Sequence, residues 1–141
     1  MEKTLILLKP CTVQRRLIGE VIHRLERKGL RILGEHYAHL KDRPFFPWLT
    51  ASMKSAPVVA MCVEGNSAVK VVRDLVGATN GRKAAPGTIR GDYSMSGQEN
   101  IIHASDSVET AEVEMRRFFR KEEIFDYPDP LHAWLYAPDG D

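Results

Sequence analysis

Four short apolar stretches, set between segments of helical period, constrain this chain more than any other feature. Thr4 to Leu8 is an unbroken apolar run of buried-strand type, closed at Pro10, which cannot donate to a sheet ladder. Leu30 to Leu33 is a second run, cut short at Gly34. Pro57 to Val63 is a third, and Ile101-Ile102, ahead of His103, a fourth. Between the first two, Leu17 to Lys28 sets Ile18, Val21, Ile22 and Leu25 on one helical stripe, with Arg24, Arg27 and Lys28 near its end and Gly29 as its stop. After the third, Asn66 is expected to cap a helix that runs to Val76 and stops at Gly77. After the fourth, Ser105-Asp106-Ser107 signals the start of a helix from about Val108 to Phe119, with Val108, Ala111, Met115 and Phe118 as its stripe. This order predicts an α+β sandwich built on a split β-α-β-β-α-β unit, with helices on one sheet face.

The remaining segments are less regular. Residues 35–54 are mixed and aromatic, and Pro44 and Pro47 break them into short helical pieces. Residues 78–99 form a long stretch rich in glycine, alanine and polar groups that carries Arg82, Lys83 and Arg90; a loop of that length is commonly functional. The tail beyond Tyr127 reads as irregular and ends in the aromatic segment His132 to Tyr136. No repeat or linker divides the chain, so residues 1–141 are expected to form one domain. A net charge of +1 gives no global field for nucleic acid or membrane. Cys11 and Cys62 lack metal-site spacing and read as reduced thiols of a cytoplasmic protein. The first apolar run is too short to span a bilayer and is followed by no small-residue cleavage site, which predicts a soluble, unexported chain.

His103 is the candidate for chemistry. It stands where a strand leaves the core and a helix begins, beside the free N–H groups and dipole of a helix N-terminus, which attract anions. Alone, such a histidine reads as a half-buried strand residue; an anion nearby would turn the reading to phosphate chemistry. Lys9 closes a buried strand, a common address for ligand groups. Arg73 and Arg90, taken singly, read as solvated charges. No Walker-type loop is present, and the cysteine and histidine spacings make no zinc signature. Glu114 and Glu112 border opposite edges of the last helix's apolar stripe. Either could turn inward to orient the imidazole, and periodicity does not choose between them.

Several segments together carry a resemblance. Thr4-Leu5-Ile6-Leu7-Leu8-Lys9-Pro10, Val13-Gln14-Arg15, Arg43-Pro44-Phe45-Phe46, Pro57-Val58-Val59-Ala60-Met61, Pro86-Gly87-Thr88-Ile89-Arg90-Gly91-Asp92 and Asn100-Ile101-Ile102-His103-Ala104-Ser105-Asp106-Ser107 resemble nucleoside diphosphate kinase, in order and nearly end to end. The resemblance implies a ferredoxin-like fold, a four-stranded antiparallel sheet covered by helices with a helical hairpin insert. It implies a histidine, His103, that is transiently phosphorylated in a ping-pong exchange between nucleoside triphosphates and diphosphates. Glu114 falls on the acid that hydrogen-bonds the histidine, with Ser105 beside it. Lys9, Tyr37, Arg73, Thr79, Arg90 and Asn100 fall on residues that hold the phosphates and the ribose hydroxyl, and Phe45, with Leu49 nearby, on the aromatic that stacks on the base. Stacking accepts every base, since each has a π-face. The resemblance also implies Mg²⁺ held mainly by the nucleotide phosphates, and a homo-oligomer, for which the long aromatic tail favours a hexamer over a tetramer.

The chain departs from the family pattern at three places. Gly34-Glu35-His36-Tyr37 is a direct join, roughly a dozen residues short, about the length of an average helix. This shortened hairpin insert is expected to expose apolar surface and to blur the position of Tyr37 and Phe45, which the resemblance puts on a hairpin gripping the nucleotide from outside. Glu99 stands where many relatives carry arginine, and Gly81 where some carry proline. The short join motivates one rival, a catalytically weak nucleotide-binding or scaffold member, which turnover would exclude. A second rival is an RNA-binding module, since split β-α-β folds also serve that role. Near-neutral charge and the lack of interleaved basic and aromatic strand residues argue against it, and a salt-dependent gel shift would discriminate.

Overall fold

The computed structural model describes residues 1–42 and 51–138. In chain order the elements are β1 (Glu2–Leu8), α1 (Pro10–Gln14), α2 (Ile18–Arg27), β2 (Arg31–Ala38), a 3₁₀ turn (Leu40–Asp42), α3 (Ala51–Lys54), β3 (Val58–Gly65), α4 (Ala68–Val76), α5 (Ile89–Tyr93), β4 (Ile102–Ala104), α6 (Val108–Phe118), a second 3₁₀ turn (Lys121–Glu123) and α7 (His132–Leu135). The four strands form one antiparallel sheet in the order β2-β3-β1-β4. This is the ferredoxin-like α+β arrangement expected from the sequence. Among the described residues no helix is long and apolar enough to cross a membrane.

Both sheet faces are covered, where the sequence suggested one. Ile6 and Leu8 of β1 pack with Val59, Met61 and Val63 of β3 against Val21 and Leu25 of α2 and Val72 and Val76 of α4. Leu5 and Leu7 face the other way, onto Val58, Ala60, Cys62 and the Phe118 and Phe119 end of α6. A strand buried on both faces needs apolar residues at every position, which accounts for the unbroken runs in β1 and β3.

Local corrections follow from tertiary contacts. Gly29 ends α2 as expected, at φ +100°, with Leu30 N–H returning to the Leu25 carbonyl at 3.2 Å. Gly34, however, does not stop β2, which runs on to Ala38 with a bulge between Ile32 and Gly34. Glycine is needed there for close approach, since a Cβ would lie 2.4 Å from the Glu123 carbonyl oxygen. Tyr37 therefore sits opposite Val59 on an edge strand, rather than on a hairpin. The residue at the N-cap of α4 is Ser67, at φ +51° and with no side-chain cap, not Asn66. Val108 on α6 is exposed. The long stretch 78–99 contains a helix, α5, whose Thr88 cap accepts from Gly91 N–H at 3.0 Å. Gly81 donates its N–H to the Ser96 carbonyl at 2.9 Å, a bond a proline could not make. The tail is not wholly irregular, since it carries the short helix α7.

Candidate active site

Strand alternation aims His103. Ile102 and Ala104 on either side of it enter the core beneath α2 and α4, so His103, opposite Leu7, turns to the α6 face. There α6, capped by Ser107 accepting from Thr110 N–H at 3.0 Å, buries Ala111, Glu114 and Phe118. The geometry decides between the two acids: Glu114 is 5% exposed and faces the imidazole, whereas Glu112 points to solvent. His103 Nε2 lies 2.9 Å from Glu114 Oε2 and 3.3 Å from Oε1, and Ser105 Oγ donates to Oε1 at 2.8 Å. Burial pushes the Glu114 carboxyl up, but hydrogen bonding to His103, the charge of a protonated imidazole and the Ser105 hydroxyl outweigh it. The net direction is down from the ordinary value. This carboxylate fixes the ring and stabilises positive charge on it.

His103 opens onto a cleft of about 550 Å³ that also gathers Lys9, Arg73, Thr79, Arg90, Asn100 and Glu114, with Met53 of α3 at its edge. A larger depression of about 810 Å³ lies beside Met1 and Ser67, and its lining brings no histidine or arginine together. The cations of the cleft are held on backbone. Arg90, on α5, donates to the carbonyls of Asn100 (3.1 Å), Gly77 (3.2 Å) and Ile102 (2.6 Å). Burial, and then the Arg73 charge, lower its pKa to about 10, so it is still charged at neutral pH. Arg73 reaches the Ala104 carbonyl at 3.4 Å, and Lys9 the Gln98 carbonyl at 3.2 Å. Burial and the Arg90 charge lower the Lys9 ammonium, while Cys11 and Glu99 act the other way. Three cations crowding one wall favour a polyanionic occupant.

Asn100 is 2% exposed, and its Nδ2 donates to the carbonyls of Thr79 (2.8 Å) and Gly97 (3.0 Å). Its Oδ1 is buried with no partner. A buried acceptor left this way is costly and suits a ligand hydroxyl. Glu99, the departure beside it, accepts a hydrogen bond from Ser52 of α3.

The cleft thus brings together His103, Glu114, Lys9, Arg73, Thr79, Arg90 and Asn100, with Ser105 buried behind Glu114. Tyr37 does not line it: the residue is 64% exposed on β2. Phe45 and Leu49 lie outside the described residues. Sequence reasoning missed the backbone between Asn100 and His103. Ile101 has φ +75°, and Ile102 N–H donates to the Asn100 carbonyl at 2.8 Å, forming a γ-turn. No residue type there signals it, since isoleucine disfavours that conformation.

Comparison with known proteins agrees with the geometry. The family model described as nucleoside diphosphate kinase matches residues 2–124. A nucleoside diphosphate kinase of Parabacteroides distasonis is 60% identical, with 99% of each chain covered, over 151 positions. Since this chain has 141 residues, that relative carries residues it lacks. One from Rhodopirellula baltica is 48% identical over the same coverage. The solved structure of a halophilic nucleoside diphosphate kinase from Halobacterium salinarum, in complex with CDP, superposes with a TM-score of 0.88 at 40% identity, covering 96% of this chain and 99% of that one. On these grounds the chain belongs to the nucleoside diphosphate kinase family.

Proposed function

We propose that the enzyme carries the γ-phosphoryl group of a nucleoside triphosphate on His103 and delivers it to a nucleoside diphosphate. The observation that carries this reading is the pairing of His103 Nε2 with the buried Glu114 carboxylate inside a cleft walled by Lys9, Arg73 and Arg90. With Nε2 donating its proton to Glu114, the lone pair that attacks phosphorus is that of Nδ1. As the Nδ1–P bond forms, the bond to the bridging oxygen breaks and the diphosphate leaves with that electron pair. Positive charge on the imidazole is balanced by Glu114. The second half-reaction reverses these steps, with an incoming diphosphate oxygen taking the phosphoryl group. Lys9, Arg73 and Arg90 neutralise the charge spread over the transferring group.

The same reading assigns Thr79 to the phosphates and the Asn100 Oδ1 to a ribose hydroxyl donor. Mg²⁺ would enter as part of the substrate, held mainly by the nucleotide phosphates, and would offset part of their charge alongside Lys9, Arg73 and Arg90. We read the site of action as the cytoplasm, supported by the two buried, unbridged thiols of Cys11 and Cys62. Self-association is supported by the exposed apolar side chains of the tail, and a hexamer before a tetramer by the resemblance of that long aromatic tail to the hexameric kind.

The test is incubation with γ-labelled ATP. An acid-labile, base-stable label is expected on the wild type and none on His103→Ala, which also loses exchange. A His103→Ala variant, purified free of other kinases, that still exchanges phosphoryl groups would sink the mechanism.

A further inference from the structure

The γ-turn before His103 is held from outside, by a side chain to which the proposed mechanism gives no part. Ile101, a β-branched residue at φ +75°, occupies a conformation that costs free energy and persists only where its surroundings enforce it. Its carbonyl oxygen accepts two hydrogen bonds, from Lys9 N–H at 2.9 Å and from the Thr12 hydroxyl at 2.5 Å. Thr12 is fully buried on α1, one turn along from Lys9, and its own N–H donates to the Lys9 carbonyl at 2.9 Å. The carbonyls on either side of Ile101, those of Asn100 and Ile102, are taken by Arg90. The strained peptide is thus gripped at three consecutive carbonyls, and Thr12 is the one neutral side chain in the grip.

We propose that Thr12 is a positioning residue for phosphoryl transfer. Its hydroxyl locks the γ-turn at Ile101, and so sets where β4 presents His103 relative to the phosphates held by Lys9 and Arg90. The proposal rests on His103 being the phosphoryl carrier. Asn100 has its own anchors in the carbonyls of Thr79 and Gly97, so the turn can loosen without releasing the residue assigned to the ribose. The expected signature is therefore a loss in kcat with little change in KM. A packing defect alone would lower stability and leave the rate per folded site intact.

The experiment compares wild type, Thr12→Val, Thr12→Ala and Thr12→Ser. Val keeps the shape without the hydroxyl, Ala is a smaller deletion, and Ser restores the donor. Single-turnover labelling by γ-labelled ATP gives the rate per labelled site. The Val and Ala variants should each lose about tenfold in rate, the order of one lost buried hydrogen bond, with KM within about twofold. Ser should recover to within about threefold of wild type. Hydrogen exchange supplies a second readout that needs no variant. The Ile102 amide in the wild type should be protected as strongly as β1, and it should exchange faster in any Thr12 variant that lacks the hydroxyl.

An unchanged rate per site in Thr12→Val or Thr12→Ala overturns the proposal, as does a Ser variant no better than Ala. A freely exchanging Ile102 amide in the wild type overturns it too, even where the variants fail to fold. If His103→Ala takes up label as the wild type does, the reading of the nucleophile falls and the proposal falls with it. Label confined to His103 beside an unaffected Thr12→Val overturns the positioning role alone.

Discussion

At the scale of single residues, chemistry is set by which groups are already committed. Glu114 has burial against it and His103 and Ser105 in its favour, and the partners win. Glu114→Gln keeps the shape but removes the charge that balances the imidazolium. Turnover should fall by about 10²-fold, with little change in nucleotide affinity, in steady-state assays. Glu112→Gln, on the solvent side of the same helix, should be silent; the reverse pattern would refute the assignment of the acids. The lowered carboxyl also carries a pH dependence. A carboxyl depressed in the folded state contributes stability above its unfolded value, here near 4.5, and loses that contribution as pH falls through the lower folded value. Urea unfolding from about pH 6 to about pH 3 should show wild type more stable than Glu114→Gln at the upper end, with the gap closing in acid. The place of His103, between an apolar pair and a helix start, was legible, whereas its chemistry came only from the resemblance. Periodicity did not choose Glu114 over Glu112, since it marks both stripe edges; the resemblance pointed to Glu114, and the register of β4 against β1 gives the physical reason, by setting which edge the imidazole meets. The orphan Oδ1 of Asn100 and the left-handed Ile101 were equally hidden, since both arise from contacts between segments remote in sequence.

Elements behave the same way. β1 and β3 were legible as unbroken apolar runs, and α2 and α6 by their helical period. β2 beyond Gly34 and α5 were not. β2 continues because a bulge and the Glu123 carbonyl accommodate Gly34. The helix in 78–99 forms because Thr88 caps it and α2 braces it, neither of which leaves an apolar stripe. That brace is Arg24: its guanidinium pairs with Asp92 at 2.6 Å, donates to the Gly87 carbonyl at 3.2 Å and lies 4.8 Å over the Tyr93 ring. Since α5 carries Arg90, Arg24→Ala should raise the nucleotide KM roughly fivefold, the effect of about 1 kcal/mol, while the γ-label still reaches His103. An unchanged KM would show that Arg90 is held by its own carbonyl bonds alone. The extension of β2 has a functional counterpart. Tyr37 lies outside the cleft, so Tyr37→Ala should leave KM within about twofold. A large rise would mean that the ring reaches the nucleotide after all.

Across the whole molecule, apolar surface remains after the two sheet faces are filled. Phe125, Leu131 and Trp134 are exposed, Trp134 at 87%. Side chains of this kind on the tail are suited to burial against another copy of the chain. Sedimentation at increasing concentration should find assemblies larger than one chain, and Trp134→Asp should shift them toward smaller species. A strictly monomeric wild type would count against self-association through the tail. The three carbonyls that hold Arg90 come from the end of α4, the turn before β4 and β4 itself, so its positive charge is anchored to the scaffold rather than to whatever occupies the cleft. A charge of that kind exerts the same field on the departing diphosphate as on the arriving one. Both halves of the exchange therefore meet a charge already in place, and passing from one nucleotide to the next demands no rearrangement of Arg90.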